Sequence, residues 1–373
     1  MPTTRLVTLD GSFSMMEGSL TRPTFAYETW GKLSPARDNG VLIFTGLSPS
    51  AHAASSPGDP RTGWWEDMIG PGKPIDTQRF FVVCVNSLGS CFGSTGPASV
   101  DPDTGQPYRL TFPVLHVEDI ADGGAAVLDH LGVARLHAVL GASMGGMTAL
   151  AFALQHPKRA RALVSISSAA RSLPFSIAIR SLQREIIRKD PAWNGGDYLQ
   201  PAGPVTGMQL ARKLGMISYR SADEWAERFG RERALDRGGN GDPFGLDFEV
   251  ESYLEAHAQK FVGAFDANCY LYLSRAMDLF DLADHGGSLE AGFERIEVER
   301  ALVIGVESDI LFPVEQQQEL ATGLQGSMGN VSFHRLPSIQ GHDSFLVDMD
   351  RFRPVISRFF RDQDRDRRAA PAP

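Results

Sequence analysis

Short apolar runs recur along the chain, and most are closed by Gly, Ser, Asn or Pro. They read VLIFT (Val41–Thr45), FFVVCV (Phe80–Val85), LHAVL (Leu136–Leu140), ALVSI (Ala162–Ile166), ALVIGV (Ala301–Val306) and VSFHRL (Val331–Leu336). Most are rich in β-branched or aromatic residues, which suit strands. Helical stretches alternate with them, so the pattern predicts an α/β fold: a mostly parallel sheet flanked by helices. Between about Ala170 and Gly287 the strand rhythm stops. Helix-like segments such as Ser176–Arg188 and Phe248–Phe261 take over, interrupted by the Gly-rich stretch Arg237–Asp242. This predicts a helical lid insertion over residues 170–287, capping the sheet's C-terminal edge. It divides an α/β core into residues 1–169 and 288–361. The tail 362–373 (DQDRDRRAAPAP) is charged and ends in Ala and Pro, the composition of a disordered segment. No internal repeat is present.

Bulk properties narrow the function. A chain of 373 residues can bury a large core and still carry an insertion. Its formal net charge of −9 argues against a general binder of nucleic acid or anionic membrane. An anionic substrate would need a locally basic pocket. The three cysteines, Cys84, Cys91 and Cys269, suggest neither a disulfide framework nor a metal pair. The N-terminal stretch lacks the pattern of a signal peptide, and no apolar run reaches membrane-spanning length. The expected location is the reducing cytoplasm.

The strongest motif is Gly141-Ala142-Ser143-Met144-Gly145, between the run LHAVL and a predicted helix, Gly146–Gln155. G-x-S-x-G in a strand–turn–helix context is a nucleophile elbow. The turn is too tight for large side chains two residues either side of the serine. The helix N-terminus behind it offers N–H groups and a favourable dipole to a developing oxyanion.

On this architecture the chain order is Ser, acid, His. Of nine histidines, His342 alone sits in Gly341-His342-Asp343, after the last predicted strand and before the C-terminal helix. The acid should follow the preceding strand, where Glu307-Ser308-Asp309 stands. Asp309 is the first choice and Glu307 the reserve, to accept the imidazole N–H and stabilise the imidazolium. The oxyanion needs two donors. The N–H of Met144 is one, and that of Leu47, in the loop after the first main strand, is the natural second.

With these residues placed, the chain resembles the homoserine and serine O-acyltransferases of the α/β-hydrolase superfamily over most of its length. The matching stretches are Gly63–Ser90, Gly93–Val100, GASMGGM (Gly141–Met147), ARKLGMISYRS (Ala211–Ser221), ESDILFP (Glu307–Pro313) and GHDSFL (Gly341–Leu346). The resemblance implies an α/β-hydrolase fold with a Ser143–His342–Asp309 triad, no metal and no cofactor, and a homodimer. It also implies that Arg212 and Asp343 bind the amino-acid substrate. Such a pair suits a zwitterion, the Arg for the α-carboxylate and the Asp for the α-ammonium.

Homoserine acetyltransferases usually read H-A-L-T-G-D after the first main strand. This chain reads Thr45-Gly46-Leu47-Ser48-Pro49-Ser50-Ala51-His52. Gly46, Leu47, Ser48 and Pro49 look like the branch that acts on L-serine with succinyl-CoA as donor. The segment Pro174–Gly196 looks like the same branch. In it Arg180 lies one turn before Gln183-Arg184, where a cation could pair with the free carboxylate of a succinyl group. The rival readings are homoserine acetylation or succinylation, simple ester hydrolysis, and a non-catalytic binding protein on the same scaffold.

Overall fold

The computed structural model describes residues 3–199, 203–234 and 244–369, with residues 362–369 described as backbone only. The Gly-rich stretch Arg237–Asp242 lies outside the described residues.

An eight-stranded sheet organises the chain. Its strands are β1 (Arg5–Thr8), β2 (Thr24–Trp30), β3 (Gly40–Phe44), β4 (Phe81–Val85), β5 (Leu136–Ala142), β6 (Ala162–Ile166), β7 (Arg300–Val306) and β8 (Val331–Leu336). In space they run β1-β2-β4-β3-β5-β6-β7-β8. β1 pairs antiparallel with β2, and β2 with β4. Every other pairing in the sheet is parallel. The six predicted strands are β3 to β8, each within two residues of its expected ends.

The two antiparallel strands β1 and β2 went unpredicted. β2 reads TFAYETW, and its Glu28 breaks the apolar run while lying buried. The fold satisfies that carboxylate with the Thr4 hydroxyl at 2.7 Å and His52 Nδ1 at 2.9 Å. A buried polar group with partners costs little, so polarity hid the strand.

Helices cover both faces of the sheet. α1 (Val117–Leu131) and α2 (Met144–Gln155) pack together on one side. α2 is buried from Met144 to Leu154, as expected for a helix apolar all round. Phe44 and Phe152 meet beneath it, with ring centroids 6.0 Å apart. On the other face Phe352, Ile356 and Phe360 of the last helix pack against Val41, Ile43 and Leu140.

Between β6 and β7 come α3 (Pro174–Lys189), α4 (Val205–Tyr219), α5 (Ala222–Phe229), α6 (Glu249–Phe261), α7 (Ala267–Leu279) and the short α8 (Leu289–Glu294). Among the described residues no strand of the main sheet interrupts them. α9 (Val314–Met328) links β7 to β8, and α10 (Ser344–Val347) precedes α11 (Met349–Ala369). α11 therefore continues past Arg361 through most of the stretch expected to be a disordered tail. Asp, Gln and Arg contain no helix breaker before Pro371. No helix among the described residues is long and apolar enough to cross a membrane.

Candidate active site

Ser143 sits where β5 ends and α2 begins. Its backbone is held at φ 56° and ψ −126°, a conformation rare for a residue with a Cβ. The glycines of the motif make the turn possible by steric necessity. A Cβ on Gly141 would lie 2.1 Å from the Gly145 carbonyl oxygen, and one on Gly145 would lie 2.3 Å from that of Phe44. The turn lifts the serine hydroxyl out of the sheet while Met144, the first residue of α2, stays buried.

Two further segments complete the array around this hydroxyl. His342 follows β8 in a single turn of 3-10 helix, Gly341–Asp343. Its Nε2 is 2.8 Å from Ser143 Oγ, and its Nδ1 is 2.7 Å from Asp309 Oδ2. A carboxylate only accepts, so Nδ1 carries the proton and Nε2 presents its lone pair to the serine. Asp309 follows β7. Its Oδ1 accepts the backbone N–H groups of Leu311 and Phe312, each at 2.9 Å, which fixes the carboxylate's angle. Phe312 stacks beside the imidazole at 5.2 Å. Burial alone would push His342 toward the neutral form; the Asp309 charge and hydrogen bond outweigh it and raise its pKa. Glu307, the reserve acid, points away: it is exposed and paired with Arg335 at 2.9 Å.

The hydroxyl opens onto a pocket of about 150 Å³ lined by the loop Gly46, Leu47, Ser48 and Pro49. That loop is pinned from behind. Trp64 Nε1 donates to the Ser50 carbonyl at 3.0 Å, and His52 bridges Glu28 and the Arg61 carbonyl. Leu47 thus lines the pocket beside Ser143, and Met144 follows the serine as the first residue of α2.

The opposite wall comes from the inserted helices: Arg180 and Gln183 of α3, Arg212 and Tyr219 of α4, and Tyr270 and Met277 of α7. Arg212 and Asp343 both face the pocket without forming a pair. Arg212 lies over the Phe261 ring at 4.7 Å, and its Nε is buried without a hydrogen-bond partner. Asp343 is met by Arg220, whose Nε is 3.3 Å from its Oδ2; burial pushes the Asp343 carboxyl up while His342, Arg220 and Arg212 pull it down.

Arg180 is a buried arginine, 3% exposed, with no resemblance to a solvated surface cation. Its Nε is 2.6 Å from Asp278 Oδ1, and an Nη donates to Ser172 Oγ at 2.7 Å. Its other Nη has no partner. Arg184 grips the second oxygen of Asp278 at 2.6 Å. The sequence had pointed to Arg180 but missed Asp278, Arg220 and Tyr219. Tyr219 and Arg220 stand in the ARKLGMISYRS stretch, so their neighbourhood was visible. Asp278 was findable only as the lone acid in the apolar stretch of α7.

The geometry is that of an acyl-transferring serine enzyme, and comparison with known proteins agrees. A family model for the alpha/beta hydrolase fold matches residues 40–348. The serine O-succinyltransferase of Litchfieldella anticariensis is 57% identical over 357 residues, covering 95% of this chain and 97% of the relative. That of Stenotrophomonas maltophilia strain K279a is 58% identical over 360 residues, covering 96% and 97%. Among solved structures, a homoserine O-acetyltransferase from Bacillus anthracis superposes with a TM-score of 0.88 at 28% identity, covering 95% of this chain and 96% of that one. Esterase E22 superposes with a TM-score of 0.86 at 29% identity, covering 95% and 99%. The chain belongs to the α/β-hydrolase fold family, in the branch that holds the homoserine and serine O-acyltransferases.

Proposed function

We propose that this enzyme transfers the succinyl group of succinyl-CoA to the hydroxyl of L-serine, giving an activated ester for cysteine biosynthesis. The observation that carries the reading is a Ser143–His342–Asp309 array, bonded at 2.8 and 2.7 Å, opening onto a pocket that holds unpartnered arginine donors. The relatives named serine O-succinyltransferase support the choice of acceptor and donor.

The chemistry runs in two halves. His342 Nε2 takes the Ser143 proton as the hydroxyl attacks the thioester carbonyl. The N–H groups of Leu47 and Met144 hold the oxyanion. The thiolate of CoA leaves with a proton from His342, and succinyl-Ser143 remains. L-serine then binds, its α-carboxylate at Arg212 and its α-ammonium at Asp343. His342 deprotonates its hydroxyl, which attacks the ester carbonyl; the bond to Ser143 Oγ breaks, Ser143 takes the proton back from His342, and O-succinyl-L-serine leaves. Segment 170–287 serves as the lid that keeps water from the acyl-enzyme.

Charge counting supports a carboxylate-bearing acyl group. Arg180 and Arg184 share the single carboxylate of Asp278, which leaves one positive charge and one free guanidinium donor at the pocket wall. A succinyl carboxylate completes that balance; an acetyl group leaves it open. The Gly46–Pro49 loop and Arg180 are therefore the specificity elements. The enzyme works in the cytoplasm as a homodimer. Phe175, Leu182, Leu210 and Ile217 of α3 and α4, each 47–53% exposed, supply apolar surface for a second copy.

Homoserine differs from serine by one methylene, worth about 1–3 kcal/mol in a pocket. The deciding assay is two by two: serine or homoserine with acetyl-CoA or succinyl-CoA, following thiol release. The serine/succinyl-CoA pair is expected to have the highest kcat/KM. A preference for homoserine overturns the acceptor, and hydrolysis outrunning transfer with every pair makes the protein an esterase.

A further inference from the structure

A second hollow, of about 640 Å³, opens between α3, α7 and the loop around Leu110–Leu115. It shares no lining residue with the pocket of Ser143. Three arginines reach it, Arg184 and Arg188 from α3 and Arg275 from α7. Arg184 spends its charge on Asp278. Arg188 lies over the Trp193 ring at 5.5 Å, and neither it nor Arg275 has a carboxylate partner among the described residues. The hollow's one acid, Glu185, pairs with Lys189 at 2.6 Å. In a protein of net charge −9 this is a local excess of positive charge.

Two aromatic side chains are fixed in its wall, beside Leu110, Val114, Leu115 and Leu271. Trp193 donates its Nε1–H to Asn268 at 2.9 Å, and Tyr272 donates its hydroxyl to the Phe112 carbonyl at 2.8 Å. Guanidinium forks match phosphate oxygens, and aromatic or guanidinium planes stack nucleobases. A hollow with fixed aromatic side chains and uncommitted arginines therefore suits a phosphorylated nucleotide.

We propose that this hollow binds the phosphorylated adenosine end of the CoA donor. The inference rests on the donor assigned above. The two pockets share a wall: Arg180 lines one, Arg184 the other, and both hold Asp278. These arginines stand one helical turn apart, a rise of about 6 Å along α3, so the two hollows flank the same stretch of that helix. Binding the unreactive end here contributes energy that positions the thioester at Ser143.

The test compares succinyl-CoA with the succinyl thioester of N-acetylcysteamine, which lacks the nucleotide. In a two-half reaction kcat/KM for the donor reports the first half alone. Arg275→Glu and Arg188→Ala, both at exposed positions, should each shrink the preference for succinyl-CoA by about tenfold, the loss of one charged hydrogen bond. Adenosine 3′-phosphate 5′-diphosphate alone should bind the wild type in calorimetry and lose affinity in the same variants. Circular dichroism checks the fold of each. If folded double variants keep the wild-type donor preference and nucleotide affinity, the hollow is not the nucleotide site. If the wild type uses neither thioester, the reaction assignment fails instead. The calorimetric titration alone then decides the hollow: binding lost in the variants upholds it, and no binding in the wild type overturns it.

Discussion

The sheet and the inserted helices divide the work differently. On the sheet side, position is set by backbone. Ser143 is placed by a strained turn, Asp309 by two backbone N–H donors, and His342 by a single turn after β8. On the helical side, position is set by side-chain charge. Arg180, Arg184 and Asp278 hold one another across α3 and α7, and Arg220 reaches from the end of α4 to Asp343. On the function proposed above, the chemistry that every acyl-transferring serine enzyme needs is built into the sheet half, and the choice of acyl donor rests in part on the half held by side-chain charge.

Breaking the sheet side should be catastrophic. Ser143→Ala is expected to abolish CoA release, and mass spectrometry after mixing with donor alone should find no acyl adduct. An equal adduct yield in the variant would sink the nucleophile. Asp309→Asn should cost about four orders of magnitude in turnover, because an amide nitrogen facing Nδ1 favours the wrong histidine tautomer. Glu307→Gln should leave turnover near wild type, since that side chain is exposed and tied to Arg335. The reverse result exchanges the two acids.

Breaking the helical side should change what is transferred more than whether transfer occurs. Arg180→Ala leaves a succinyl carboxylate unpaired in a partly dry pocket, a cost of about 2–5 kcal/mol. The succinyl/acetyl ratio of kcat/KM should narrow accordingly, while acetyl transfer changes little. Arg180→Lys should retain part of the ratio, because the charge survives and the fork does not. If the ratio is untouched, Arg184, which shares Asp278 with Arg180, becomes the candidate. Arg212→Ala should weaken serine-dependent turnover and spare acylation of Ser143 by donor. Equal loss in both halves would make Arg212 a structural residue stacked on Phe261.

The smallest effect is in pH. The Asp309 charge keeps the His342 pKa above that of ordinary imidazole. His342 must be neutral to act as base, so activity is lost as pH falls through that raised value. The acid limb of kcat/KM should therefore lie on the alkaline side of about 6.5. In Asp309→Asn the residual activity should show a limb displaced toward lower pH, because burial still opposes the charged form while its partner is gone.

The same division explains what the sequence made legible. β3 to β8 are short apolar runs ending in turn residues, and a strand buried on both faces must read that way. The hydrogen-bonded array of Ser143, His342 and Asp309 was legible because each member follows a strand in a fixed order. β2 was not, because Glu28 is satisfied by residues distant in sequence. The charge network of the helices was not legible for a related reason. Arg180 and Asp278 are 98 residues apart, and nothing local to either announces the other. Arg212 and Asp343 were both placed at the pocket, but the partner that holds Asp343 is Arg220.

One further consequence follows from β6 and β7 lying side by side. The chain leaves the first at Ile166 and enters the second at Arg300, so the whole helical insertion is a loop whose ends the sheet pins together. Closing a loop costs entropy only as the logarithm of its length, about 0.6 kcal/mol for each doubling. The sheet therefore acts as no ruler on what is inserted. Descendants of one ancestor can lengthen, trim or exchange these helices at almost no thermodynamic penalty to closure, and thereby acquire a new acceptor or donor while the strands that carry the nucleophile, acid and base stay where they are.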